Sequence, residues 1–280
     1  MIWLSATVLA GLFQAWRTAV QQRVRAELSV NAAGLVRYVF GFPVGCLILA
    51  AYLLATQISV PPHQADFWVF AALGGIAQIL GTNLLILAFG FRNYVVGSAY
   101  AKTEAFQGAI LALILLGEQL SGLTWTGIAV GVVGVAILSF GGQRPRLGDL
   151  VQPAALCGLG AGLLFALTSV FIKRATLSIT TADKILAALL TLVVVLAMQS
   201  LLQGAYVALR EREQLGRIER GWRFSGQVGL LAAMGSACWF IGFAHAPVAL
   251  VRAVGQVEVF FTLGFGRYYL REPLARSELD

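Results

Sequence analysis

Charge is scarce in this chain. Of its 280 residues only 12% are charged, and there are 13 acids, two histidines, three cysteines and seven prolines. The cysteines, Cys46, Cys157 and Cys238, each sit in an apolar run, with no spacing that suggests a metal site or a disulfide framework. The histidines, His63 and His245, lie in or beside separate loops, and nothing resembles H-E-x-x-H. No loop of the G-x-x-x-x-G-K-[ST] type occurs, which argues against ATP drive within this chain. No metal and no cofactor is therefore expected, and no catalytic residue stands out. Lys and Arg exceed Asp and Glu by 20 to 13, but the excess lies in loops and at segment ends. Basic loops beside anionic lipid headgroups account for that balance, so nucleic acid is not implied.

What the chain has is apolar length. Fifty-nine per cent of its residues are hydrophobic, its mean hydropathy is +0.81, and 31 glycines are scattered through the apolar runs. These values describe an all-α, polytopic membrane protein. The opening MIWLSATVLAGLFQAW has no basic region before it and no small-residue cleavage site, so it reads as a retained first helix. Breaks rich in charge or turn residues delimit nine candidate spans, at about 2–21, 30–55, 67–90, 94–117, 123–141, 153–173, 183–208, 225–245 and 247–270. The longer links are Thr56–Asp66 and the arginine-rich Arg210–Arg223, read as a solvated or headgroup-facing segment. Gly141–Val151 is polar and glycine-rich, and it divides the chain into halves at 1–142 and 153–280.

The halves repeat. A shift of 154 residues lays 81–120 over 235–274 without a gap, with eight identities that include Glu104 on Glu258 and Glu118 on Glu272. Matched acids are telling in a chain with only 13 of them. Earlier, at a shift of 151, Ala10–Leu12 and Ala161–Leu163 both read AGL, and Arg23 falls on Arg174. Five spans per repeat, an odd number, would set the second copy upside down, which is the inverted-repeat plan of many secondary transporters. The same shift would place a tenth helix at about 277–295, so the expectation is a five-plus-five inverted repeat with the tenth helix missing and nine spans present.

At Leu115–Leu138, LLGEQLSGLTWTGIAVGVVGVAIL, a Gly-Glu-x-Leu-Ser turn links one helix to a glycine-rich next one, and the pattern recurs in part as YYLREPLARSELD at Tyr268–Asp280. With the duplication, this resembles the EamA-type carriers of the drug/metabolite transporter superfamily. The resemblance implies a ten-helix, five-plus-five fold that moves small organic metabolites, often by export across the bacterial inner membrane. In this chain Arg271 stands where the motif has glycine before the second acid.

Six ionisable residues fall inside spans: Arg17, Arg37, Lys102, Glu104, Arg252 and Glu258. Glu104 lies ~21 Å of helix before Glu118, deep in a hydrocarbon core of ~30 Å, where a charge costs at least ~2.5 kcal/mol and usually faces a partner or a watery cavity. The four cations against two acids would favour an anionic or carboxylate-bearing ligand if all line one cavity, whereas Arg17 and Arg37 lie near enough to segment ends to snorkel toward headgroups. Tyr100, Glu104 and Gln107 share a helix face, while Lys102 points elsewhere, so Lys102 and Glu104 each need a partner on another helix. Arg252 and Gln256 share a face on the ninth span, and Gln14, Asn83 and Trp239 are further polar candidates at depth. Gly41/Gly45 and Gly127/Gly131/Gly134 read as close helix packing. Glu118 and Glu272 read as turn acids that cap the next helix.

The substrate-binding candidates are thus Gln14, Arg17, Asn83, Tyr100, Lys102, Glu104, Gln107, Trp239, Arg252, Gln256 and Glu258. A desolvated carboxyl such as Glu104 or Glu258 could load and release a proton as a cavity alternates between sides. The function these features predict is a secondary transporter, exporting a small polar organic metabolite by alternating access with proton or exchange coupling. The competing reading is a membrane-embedded enzyme or scaffold acting on lipid or a lipid-linked substrate. Membrane lipid and a small-molecule substrate are the expected partners, with the chain a monomer or homodimer in the bacterial inner membrane. Orientation receives opposite signals. Thirteen of the sixteen loop Lys and Arg fall on the side of Arg210–Arg223, which by the positive-inside rule puts the N-terminus outside, whereas the family resemblance implies a cytoplasmic one.

Overall fold

A computed structural model describes residues 1–25, 27–88, 100–140 and 152–268. The boundary Gly141–Val151, Arg92, the start of the span at 94–117, and the second acid motif from residue 269 onward lie outside the described residues. Twelve helices run through the rest: α1 Ile2–Arg25, α2 Val30–Val39, α3 Gly41–Thr56, α4 Asp66–Ala88, α5 Glu104–Leu116, α6 Gly122–Phe140, α7 Pro153–Leu177, α8 Lys184–Arg210, α9 Glu213–Arg220, α10 Trp222–His245, α11 Val248–Gly255 and α12 Glu258–Tyr268. Among the described residues there is no strand, only an isolated bridge between His63 and Ile179.

Five stretches are long and apolar enough to cross a membrane: Val30–Thr56, Asp66–Ala88, Pro153–Leu177, Lys184–Arg210 and Trp222–His245. Glu104–Leu116 and Gly122–Gly134 are shorter apolar helices. This is a multi-pass helical membrane protein, the only arrangement besides a closed barrel that satisfies backbone polar groups in lipid.

Local chemistry sets the helix ends. Ser29 caps α2 by accepting from Ala32 N at 3.1 Å, and Asp183 caps α8 by accepting from Ile185 N and Leu186 N at 2.9 and 3.0 Å. The expected single span 30–55 is broken at Phe40. Pro43 is the cause, since it has no N–H to offer Val39 and its ring crowds that carbonyl. Helix α5 stops at Gly117, whose φ of +67° is the left-handed conformation that closes a helix C-terminus. That is the physical content of the Gly-Glu turn. Arg210–Arg223, expected as a link, folds its middle into α9, an exposed helix.

The chain passes up and down, and contacts between loops define two rims. At one, Gln64 N donates to Ser178 O and Thr180 N to Pro62 O, and Tyr52 donates to Asp183 at 2.8 Å. At the other, the carboxylate of Glu211 accepts from Ser29 Oγ and from Asn31 Nδ2 at 2.6 Å, and Arg217 donates to Glu27 O at 3.3 Å. Glu118 does not cap the helix that follows it. Its carboxylate accepts from Val248 N at 2.9 Å, capping α11, and pairs with Lys173 at 2.5 Å, while Ser121 Oγ receives Thr124 N at the start of α6.

Small residues carry the helix contacts. Alanines dominate the buried set, from Ala10 and Ala15 through Ala161 and Ala166 to Ala233, because backbones must approach closely where lipid gives helices no hydrophobic reason to associate. At Gly229 an added Cβ would come within 2.6 Å of the Phe40 carbonyl carbon. Gly41 and Gly45 also sit at tight contacts, against Gly229 O and Leu196, as their spacing predicts. Gly127 and Gly134 do not: nothing lies within 4 Å of a Cβ at either, and Gly131 meets only Gln256. Helix α6 turns that face outward, in company with the exposed Leu123, Val130 and Ile137.

Candidate functional site

Two helices are interrupted at matching places. Before α5, Thr103 N bonds to Tyr100 O at 3.2 Å; between α11 and α12, Gln256 N bonds to Ala253 O at 3.2 Å and Val257 N to Val254 O at 3.1 Å. These i to i−3 bonds tighten the chain for about one turn, a device often found at functional hinges. Each interruption ends on a glutamate, Glu104 opening α5 and Glu258 opening α12. A helix N-terminus favours a carboxylate electrostatically, so both acids sit where the backbone helps to hold them.

Each acid takes its cation from the other half of the chain. Lys102 Nζ lies 3.0 Å from Glu258 Oε2, and Arg252 Nη1 lies 3.2 Å from Glu104 Oε1. Lys102 and Glu104 thus find separate partners on other helices, as their helical spacing requires. Around these pairs the remaining donors are used in turn. Gln14 Nε2 donates to Glu258 at 2.6 Å, and its Oε1 accepts from Trp239 Nε1 at 3.0 Å. Arg252 donates through Nε to Ser169 Oγ at 2.7 Å and through Nη2 to Phe165 O at 3.0 Å, and it lies 4.8 Å over the Trp239 ring and 5.4 Å from that of Phe243. Such stacking adds about 2 kcal/mol when the cation is desolvated. Gly255 passes under Trp239 so closely that a Cβ would fall 2.1 Å from the ring.

The matched AGL triplets support this centre. A Cβ on Gly11 would meet Glu258 N and Cα at 3.4 Å, and one on Gly162 would meet Ala101 O at 3.0 Å and Glu104 N at 3.4 Å. The first helix of each half therefore lies against the interruption in the other half. The two most extensive interfaces follow the same exchange, α1 against α10 and α4 against α7.

Of the candidate residues, Gln14, Lys102, Glu104, Trp239, Arg252 and Glu258 form this one network. Tyr100 precedes the first interruption, and Gln107 Nε2 donates to Thr103 Oγ1 at 2.9 Å within it. Gln256 sits in the second interruption, both its buried side-chain polar atoms without a hydrogen bond among the described residues. Asn83 stands apart. It bonds to Asn31 at 3.0 Å and accepts from Gln203 at 3.3 Å, a cluster that reaches the Glu211 rim. Arg17 and Arg37 do not snorkel: they are 9% and 5% exposed. Arg37 Nη1 donates to Thr82 Oγ1 at 2.7 Å, and the Nε of each guanidinium has no partner among the described residues. Ser169 and Thr82 had no distinguishing sequence signal, since serine and threonine commonly bond back to their own helix, as Ser169 also does to Phe165 O. Among the described residues no group of three or more His, Cys, Asp or Glu could hold a metal.

A helical bundle of membrane-crossing length, with charges paired across two interrupted helices, defines the class of a multi-pass membrane protein with a polar centre. Residues 152–279 match the model of the EamA-like transporter family. The matched residues are the second half of the chain, and that half is similar to the family. No curated protein sequence matches it. A solved structure described only as "Crystal structure of protein" is similar at a TM-score of 0.68 and 17% identity, over 98% of this chain and 91% of its own, a likeness of fold.

Proposed function

We propose that the chain is a secondary transporter that exports a small polar organic metabolite across the bacterial inner membrane by alternating access, with proton or exchange coupling through Glu104 and Glu258. The observation that carries this is the crossed pairing Lys102–Glu258 and Arg252–Glu104. Charges deep in an apolar bundle are costly and mark solute or ion pathways, and acids at the starts of half-helices, near the middle of the bundle, are where carriers built on inverted repeats place their sites. The reading takes residues 1–142 and 153–280 as two copies of one unit, the second flipped, with a monomer or homodimer as the working form. The exchange of Gly11 and Gly162 between halves supports it.

In this scheme Gln14, Tyr100, Lys102, Glu104, Gln107, Trp239, Arg252, Gln256 and Glu258 line the solute path, and Asn83 serves its approach from the Glu211 rim. Opening the centre on one side requires the crossed pairs to exchange partners with solute or with each other, and a proton on Glu104 or Glu258 releases its cation.

Purified protein in liposomes, screened by counterflow with amino acids, organic acids and nucleosides, tests the assignment. Solute exchange is the expected result, with altered pH dependence in E104Q or E258Q. Absence of exchange with every class would reject the carrier, and an unchanged pH profile in both variants would remove proton coupling.

A further inference from the structure

Of the four cations expected inside spans, two are ion-paired: Lys102 with Glu258 and Arg252 with Glu104. Arg17 and Arg37 remain. Both are more than nine-tenths buried, and neither makes an ion pair among the described residues. Arg37 contacts Thr82 through Nη1 alone and lies beside the Tyr38 ring, 5.5 Å from its centroid. The helices of Arg17 and Arg37 meet beside them, with Gln21 Nε2 donating to Ala33 O at 3.1 Å and Val20 and Val36 buried in one cluster, and Glu258, the acid near Arg17, already accepts from Lys102 and Gln14. The Nε–H of each guanidinium finds no acceptor among the described residues.

We infer that Arg17 and Arg37 together receive an anionic group, a carboxylate or phosphate, carried by the solute. This rests on the carrier reading for the word solute; the anion site itself rests on the two guanidiniums. Like charges on neighbouring helices in a low-dielectric interior repel, and an anion placed between them adds attractions that offset that repulsion. Guanidinium also suits the task, because its planar fork binds both oxygens of a carboxylate or phosphate at once. The site adjoins the crossed pairs: Gln14 and Arg17, three residues apart on α1, share the face that meets Glu258. An anion there puts the rest of the solute against Lys102, Glu258 and Trp239.

The test uses the full chain in neutral detergent at low ionic strength, following the thermal unfolding midpoint with succinate, inorganic phosphate, neutral succinamide and cationic putrescine. Succinate or phosphate is expected to raise the midpoint, while succinamide and putrescine leave it unchanged. In R17Q, and separately in R37Q, the apparent affinity for that anion is expected to fall about ten- to a hundredfold, with R17K intermediate. The R17Q protein without added anion should be no less stable than wild type, since an unpaired charge has been removed; that distinguishes a binding residue from a structural one. No response to any soluble anion, or an R17Q response equal to wild type, overturns the inference. Stabilisation by added phosphatidylglycerol alone also overturns it, assigning the pair to a lipid headgroup. Anion binding without exchange in liposomes would reject the carrier and keep the site; exchange of neutral solutes with no anion response would do the reverse.

Discussion

Gly11 and Gly162 lie 151 residues apart, each in an AGL triplet, and they bring their helices against Glu258 and Glu104, the glutamates that open α12 and α5. Their tolerance is unequal. At Gly162 a methyl would meet the backbone oxygen of Ala101 at 3.0 Å, whereas at Gly11 the nearest atoms stand at 3.4 Å. Gly162→Ala is expected to lose roughly 1–3 kcal/mol by overpacking, and Gly11→Ala to be neutral or gain up to ~1 kcal/mol from helix propensity. Thermal unfolding of both variants in detergent measures the difference, and equal behaviour would contradict the geometry.

The Lys102–Glu258 pair predicts a coupling. Lys102→Gln leaves Glu258 buried with only Gln14 as a direct donor, and removing one member of a buried pair costs about 3 kcal/mol. The double variant K102Q/E258Q, which removes both charges, should be more stable than either single variant. A double variant as unstable as the two losses added together would show that the pair acts independently.

Asp183 links the rim to the start of α8. Partial burial pushes its carboxyl up, but hydrogen bonds from Leu186 N, Tyr52 OH and Ile185 N, with His245 nearby, outweigh that and hold it below the usual carboxylate range. Its contribution is therefore complete above the unfolded-state value and is lost as pH falls through the lower folded-state value. Asp183→Ala should lower stability by about 1–2 kcal/mol at neutral pH, as lost helix caps do, with the gap from wild type closing in strong acid. A gap that persists unchanged at acid pH would show that the charge plays no part.

The rim that carries α9 gathers Arg210, Arg212, Arg217, Arg220 and Arg223. Retention of such clusters on the cytoplasmic side predicts that a cysteine at Gly216 is labelled only after the membrane is permeabilised, and one at Val60 in intact cells. The opposite labelling would place the first residue of α1 in the cytoplasm.

Periodicity and composition located long helices such as those at 153–177 and 222–245 but not the interruptions. The span expected at 225–245 appears as Trp222–His245, and 153–173 as Pro153–Leu177, because apolar runs bounded by charge report membrane depth directly. The break at Phe40 was signalled by Pro43. Those at Lys102–Thr103 and Gln256–Val257 contain neither proline nor a mandatory glycine turn, and they depend on contacts from Gly162 and Gly11 of remote helices. In the centre, Lys102 and Glu104 announced that partners were needed. Which partners could not be read, since each comes from about 150 residues away and no alternation pattern encodes a contact across halves. Arg37 was hidden for a different reason: its distance from a helix end allowed snorkelling, and only packing against Thr82 excludes it.

The two mouths of the bundle are fastened differently. One is stitched by main-chain bonds between 62–64 and 178–180, which do not titrate, reinforced by Tyr52–Asp183 and Lys173–Glu118. The other leans on the carboxylate of Glu211, which gathers Ser29 and Asn31. Replacing that one side chain removes both of those bonds, whereas no single side-chain replacement removes the main-chain bonds of the stitched mouth.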